Sequence, residues 1–129
     1  MAARTPDLLD SIALVATLGR ASAGAVIVSG SHGGVSAASF VVDHPHRPRI
    51  VFFNDAGIGK DRAGIAGLPM LEAIGVAACA YSHESARIGE AADGLAHGVV
   101  SHLNAGARAL GIREGDRVQG VVDALISRA

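Results

Sequence analysis

RIVFFNDAGIGKDRAG (residues 49–64) is an unbroken apolar run that stops at Asn54 and gives way to eleven positions holding four charged residues and three glycines. An apolar run without polar alternation fits a strand covered on both faces, the condition of a strand inside a parallel sheet. Asp61 can cap the helix that follows. Its Ile65, Leu68, Leu71 and Ile74 recur every three or four residues until Gly75, and Pro69 inside the span implies a kink.

Two other apolar runs end in the same way. GAVIVSG (residues 24–30) leads into SGSHGG, and VAACAY (residues 76–81) leads into SHESARIG. Before the first of them, Thr5 and Pro6 read as a helix start, with Leu8, Leu9, Ile12, Val15 and Leu18 at helical spacing up to Gly19. VSAASFVV (residues 35–42) is a short helix that His44, Pro45, His46 and Pro48 bring to an end. Residues 95–110 return to helical spacing through Val99, Leu103 and Ala107. Asp116 can then cap a last helix whose Val118, Val121, Val122, Leu125 and Ile126 form one stripe. Strands alternating with helices imply a single α/β domain over residues 1–129. The expected architecture is a small three-layer (α/β/α) open parallel sheet, Rossmann-like or flavodoxin-like, of about three to four strands.

The chain has 129 residues, 50% of them hydrophobic, which suits one domain with a real core. Its 11 basic and 12 acidic residues give a net charge of −1, with no Lys/Arg cluster to neutralise phosphates, so nucleic acid is not an expected partner. MAARTPDLLD carries charges where a signal peptide needs its apolar region, and no apolar run reaches the ~20 residues of a membrane span. A cytoplasmic protein without membrane contact is the expectation. One tyrosine, three phenylalanines, no tryptophan and 17 glycines make a core of small side chains. Such a core buries little area per residue, so a homo-oligomer is expected, with the Val118, Val121, Val122 and Leu125 stripe as interface. Cys79, the single cysteine, lies inside an apolar run and reads as an inert buried thiol.

In an open parallel sheet, ligands bind at the carboxyl ends of the strands, near the point where strand order reverses. All three polar loops follow strands, so they are expected to line one site. SGSHGG approaches the small-x-Ser-x-Gly elbow that exposes a hydroxyl, making Ser31 a candidate nucleophile, His32 a base and the Gly33 and Gly34 amides donors to developing negative charge. NDAGIGKD compares with the phosphate loop GxxxxGK[ST], but Asn54 stands at the first glycine and Asp61 replaces the magnesium-holding hydroxyl. What remains is Gly57 and Gly59 for close backbone approach, Asn54 beside them, and Lys60 as a cation. The order HGG then DAG resembles the His-Gly and Asp-Ala-Cys segments of caspase-like cysteine proteases; Gly57 stands where the cysteine would be, so that activity is not implied.

SHESARIG adds His83, the hydroxyls of Ser82 and Ser85, and Arg87, which can hold a carboxylate with a bidentate fork. Asp55 can orient a catalytic histidine. His32, Asp55 and His83 would also suit a two-histidine, one-carboxylate metal site, although no ligand pair shows diagnostic spacing and no cofactor is expected. The function expected from these residues is a small oligomeric enzyme, of hydrolase or lyase type, acting on a small anionic metabolite by acid–base or serine-assisted chemistry. The alternatives are a nucleotide- or phosphometabolite-binding regulatory module and a scaffold subunit.

Overall fold

Ile50–Asn54 forms the middle strand of the sheet, and every residue in it is buried. The computed structural model describes residues 5–128. Five strands lie side by side in chain order: β1 (Asp7–Leu9), β2 (Val26–His32), β3 (Ile50–Asn54), β4 (Ala77–Tyr81) and β5 (Val100–Leu103). The first four are parallel, and β5 pairs antiparallel with β4. This is a small, mostly parallel α/β fold with one strand more than the upper expectation. Val51 and Phe53 enter the core on one face while Ile50 and Phe52 enter it on the other, which is why the run lacks polar alternation.

The connections after the first three strands all lie on one face. They are the 3₁₀ segment Ile12–Ser22, α1 (Val35–Val42) and α2 (Leu68–Ala73), which bury Ile12, Val15, Val41 and Leu71 against Ile27, Val51 and Phe53. After β4 the chain changes side. Leu95 of α3 (Ala91–His97), Ala107 of α4 (Ala105–Ala109), and Val118, Val122 and Leu125 of α5 (Val118–Ser127) pack with Val28, Phe52, Cys79 and Tyr81. Because strand order never reverses, the sheet has no switch-point crevice of the kind expected. Instead, residues 82–90 leave β4 and come to lie against β2. The Gly89 N–H donates to the Gly30 carbonyl at 2.7 Å, and the Ala91 N–H to Asp10 Oδ1 at 2.9 Å. A Cβ on Gly30 would stand 2.6 Å from the Glu90 nitrogen and 2.7 Å from the Asp10 carbonyl oxygen, so only glycine permits this approach.

Several expected elements are replaced. The helix expected from Thr5 is β1 followed by the 3₁₀ segment, with Ser11 as cap; edge pairing with β2 (Asp7↔Ile27, Leu9↔Ser29) satisfies this backbone, and Thr5 and Pro6 merely precede it. The helix expected over residues 95–110 is cut by β5. Three causes act together: Gly98 abuts Tyr81, the β-branched pair Val99–Val100 favours strand, and β4 has a free edge to be covered. Pro69 does not kink a helix but lies in the first turn of α2, where its missing N–H costs nothing. Asp61 caps no helix and is left-handed (φ 56°), while Asp116 accepts from the Arg113 N–H at 2.9 Å and leaves Arg117 at the cap of α5. The stripe expected as an oligomer interface is interior: Val118, Val122 and Leu125 are fully buried in this chain's own core. Among the described residues, no helix is long and apolar enough to cross a membrane.

Candidate active site

Asp55 directly follows β3, is only 4% exposed, and accepts four hydrogen bonds. Oδ1 receives the Gly57 N–H at 2.9 Å, the His83 N–H at 3.1 Å and His83 Nδ1 at 3.0 Å, while Oδ2 receives the Ser101 hydroxyl at 2.8 Å. Burial alone would raise its pKa. The Gly57 N–H, the Ser101 hydroxyl, and the main-chain and ring N–H groups of His83 more than offset burial and hold the carboxyl below its usual value.

An ionised carboxylate can only accept, so His83 must donate from Nδ1, which leaves Nε2 as the acceptor in the neutral ring. The His83 side chain is 50% exposed. Its ring lies beneath Gly57, whose hypothetical Cβ would be 3.7 Å from Cε1. The loop above it is unusually bent: Ala56, Ile58, Asp61 and Arg62 have φ of 52°, 66°, 56° and 58°, and Gly57 and Gly59 both have φ 73°. A β-branched residue in this region is a true outlier, and strain of this kind costs on the order of 1–3 kcal/mol per residue. The Ile58 N–H bonded to the Asp55 carbonyl and the Gly64 N–H bonded to the Ile58 carbonyl, both at 2.7 Å, hold the loop in that shape.

The network continues through residues that the helical spacing of 95–110 concealed. Ser101 and His102 lie on β5, whose antiparallel course brings its start beside the carboxyl end of β4 (Tyr81↔Val100). His102 Nδ1 is 3.1 Å from Ser101 Oγ. The single hydroxyl proton is committed to Asp55, so His102 Nδ1 is the donor here as well. Asn104 ties β5 to its surroundings, accepting from the Ala78 and Ala107 N–H groups and donating to the Leu68 and Val76 carbonyls. The sequence signal for all three was the Gly98–Val99–Val100 breaker together with an Asn–Ala–Gly helix start.

Other expected site residues have partners elsewhere. Ser31 is not on an elbow: β2 runs on to His32 through a bulge, and Ser31 Oγ accepts from the Ile12 N–H at 2.9 Å, with no histidine hydrogen-bonded to it among the described residues. Gly33 and Gly34 offer no free amides, since the first donates to the Asn54 carbonyl (3.2 Å) and the second to His32 Nδ1 (3.0 Å). That bond leaves His32 with its proton on Nε2, the reverse of His83. Asn54 is fully buried and structural, donating to the Ala86 carbonyl and accepting from the Ala56 N–H. Ser85 donates to the Ser82 carbonyl and accepts from the Val99 N–H, while Ser82 Oγ accepts from the Glu84 N–H, so both hydroxyls shape their own loop. Arg87 is exposed and meets Glu90 at 3.8 Å; Lys60 is exposed on the Lys60–Arg62 turn, and Gly59 leads into it. Among the described residues, no group of three or more His, Cys, Asp and Glu side chains is arranged to hold a metal ion, so the His32, Asp55 and His83 metal site is not assembled.

No protein-family model, curated protein or solved structure matches this chain. Its chemistry has to be read from its own residues. Cys79 adds nothing to it, because burial and then the charge of Asp116 push the thiol up to about 12, far from the reactive thiolate.

Proposed function

We propose that this chain is a small cytoplasmic α/β enzyme in which His83, oriented by Asp55, moves a proton on a small polar, anionic metabolite. One observation carries the reading: a half-exposed imidazole donates Nδ1–H to a buried, ionised carboxylate that three further donors hold in place. That is the base-and-orienter part of an acid–base site, with Nε2 left to accept a proton from water or from a substrate carbon. Hydrolase- and lyase-type reactions both use such a group. Serine-assisted acyl transfer loses support. Ser31 has no base, and Ser101 stands between carboxylate and imidazole, where a nucleophile–base–orienter series would have the imidazole in the middle. Lys60 and Arg87, exposed on the two flanking loops, are the cations available to the substrate's negative group. A phosphometabolite-binding module is the weaker alternative, because the glycine amides that would meet a phosphate are already engaged. Any self-association would have to use surface other than the α5 stripe, such as Val35 and Phe40 on α1.

The test is to find stabilising ligands by thermal shift among carboxylate and phosphate metabolites, and then to compare wild type with His83→Gln. The variant should keep ligand-induced stabilisation and lose turnover by about 10²–10⁴-fold, the range for a general acid–base group. Unchanged turnover in His83→Gln would overturn the assignment.

A further inference from the structure

A cleft of about 540 Å³ opens between the Lys60–Arg62 turn and α2 on one side and β5 and α4 on the other, and His102 lines it. Its wall carries charges of both signs, Arg62 and Arg108 against Asp61 and Glu114. Among the described residues none of these four side chains has an ion-pair or hydrogen-bond partner. Glu72 also borders the cleft, but its carboxylate already accepts from the Ala105 N–H at 2.6 Å. Leu68 and Leu103 supply apolar wall. The volume is that of a small-ligand pocket, and the mixture of free charges suits neither a polyanion nor a cation.

His102 gives the cleft a direction. Asp55 accepts a hydrogen bond from the Ser101 hydroxyl, Ser101 Oγ accepts one from the His102 Nδ1–H, and the remaining ring nitrogen, Nε2, is left as an acceptor. The same carboxylate thus sets the tautomer of two imidazoles, His83 directly and His102 through one hydroxyl. We propose that this cleft binds a small amino-acid-type zwitterion, its carboxylate on Arg62 and Arg108, its ammonium against Asp61 and Glu114, and His102 as the acceptor for a ligand donor group. The proposal rests on the functional reading above only in taking the Asp55 network as the reactive part of the site.

The test uses ring ¹⁵N NMR of the whole chain, titrated with a panel of the common L-amino acids. The best binder, for example leucine, is then compared with the matching acid lacking the amine (4-methylpentanoate) and the matching amine lacking the carboxylate (3-methylbutylamine). The expected result is a saturable shift of the His102 signals, binding at least about tenfold weaker for each truncated analogue, and loss of binding in the Arg62→Met/Arg108→Met double variant. Free wild type should show His102 protonated on Nδ1, and Ser101→Ala should release it to a tautomer mixture. The proposal is overturned if no amino acid shifts His102, if either truncated analogue binds as well as the zwitterion, or if free His102 is protonated on Nε2. His83→Gln should leave amino-acid binding intact, so failure of the cleft and failure of the His83 assignment give different results.

Discussion

The ends of β2 and β3 carry similar residues and behave differently. At the end of β2, Ser31, His32 and Gly33 spend their polar groups on main-chain partners: Ser31 on the Ile12 N–H, His32 Nδ1 on the Gly34 N–H, Gly33 on the Asn54 carbonyl. At the end of β3, Asp55 collects groups from two other parts of the chain, the loop after β4 and β5, and two imidazoles emerge with an acceptor nitrogen left over. A histidine beside glycines is therefore not a site by virtue of its neighbours. What separates the two ends is whether side chains from distant elements converge on one acceptor.

The contrast predicts its largest stability difference at Asp55. Asp55→Asn removes the charge and replaces one acceptor oxygen with a donor, at a position where all four partners donate. It should destabilise the chain by about 3–5 kcal/mol in urea unfolding, as expected when a buried, hydrogen-bonded charge loses its match. His32→Gln at the other strand end should cost about 1 kcal/mol or less. Equal costs would break the comparison. The pH dependence sharpens it. Because the folded-state pKa of Asp55 is depressed, its contribution is complete above the unfolded value of about 3.9 and is lost as pH falls through the lower folded value. Wild type should therefore lose more stability than Asp55→Asn in that acid window, and parallel acid titrations would show that the carboxylate is not the hub.

Gly30→Ala comes next. A methyl there meets backbone atoms of Asp10, Gly89 and Glu90, so the variant should lose about 1–3 kcal/mol through displacement of the 82–90 segment. Full stability would mean that this segment need not lie against β2. The smallest effect is expected at the charged tips: Lys60→Met and Arg87→Met should change stability by no more than about 0.5 kcal/mol, since an exposed pair at 3.8 Å contributes little. The same variants should weaken the stabilisation that anionic ligands confer.

The central strands were legible because a strand buried on both faces has one visible property, an apolar run closed by turn residues. β2, β3 and β4 each have it. β1 is three residues long, too short for a period to register, and its Leu8 and Leu9 fit a helical series with Ile12 equally well. In β5 only Val100 is fully buried, and Leu95, Val99, Leu103 and Ala107 fall at helical spacing by coincidence. That coincidence hid half of the Asp55 network. The pairing of Asp55 with His83 was foreseeable because both residues end adjacent parallel strands. Ser101 became a neighbour only through the antiparallel return of β5, which no local pattern announces. Ser31, Gly33 and Gly34 stood out for the opposite reason: their residue types suggested chemistry, while their hydrogen bonds in the structure hold the strand end together.

Cys79 sits in the middle of β4, fully buried, as the chain's one thiol. A thiol-specific reagent can meet it only when the centre of the sheet opens, and no other cysteine contributes background. Its modification rate, relative to that of an unfolded peptide thiol, therefore reads the opening equilibrium of β4 directly when reclosing outpaces reaction. The fold carries its own clock in an interior strand, one in from the antiparallel edge, and ligands that tighten either side of the Asp55 network should slow it.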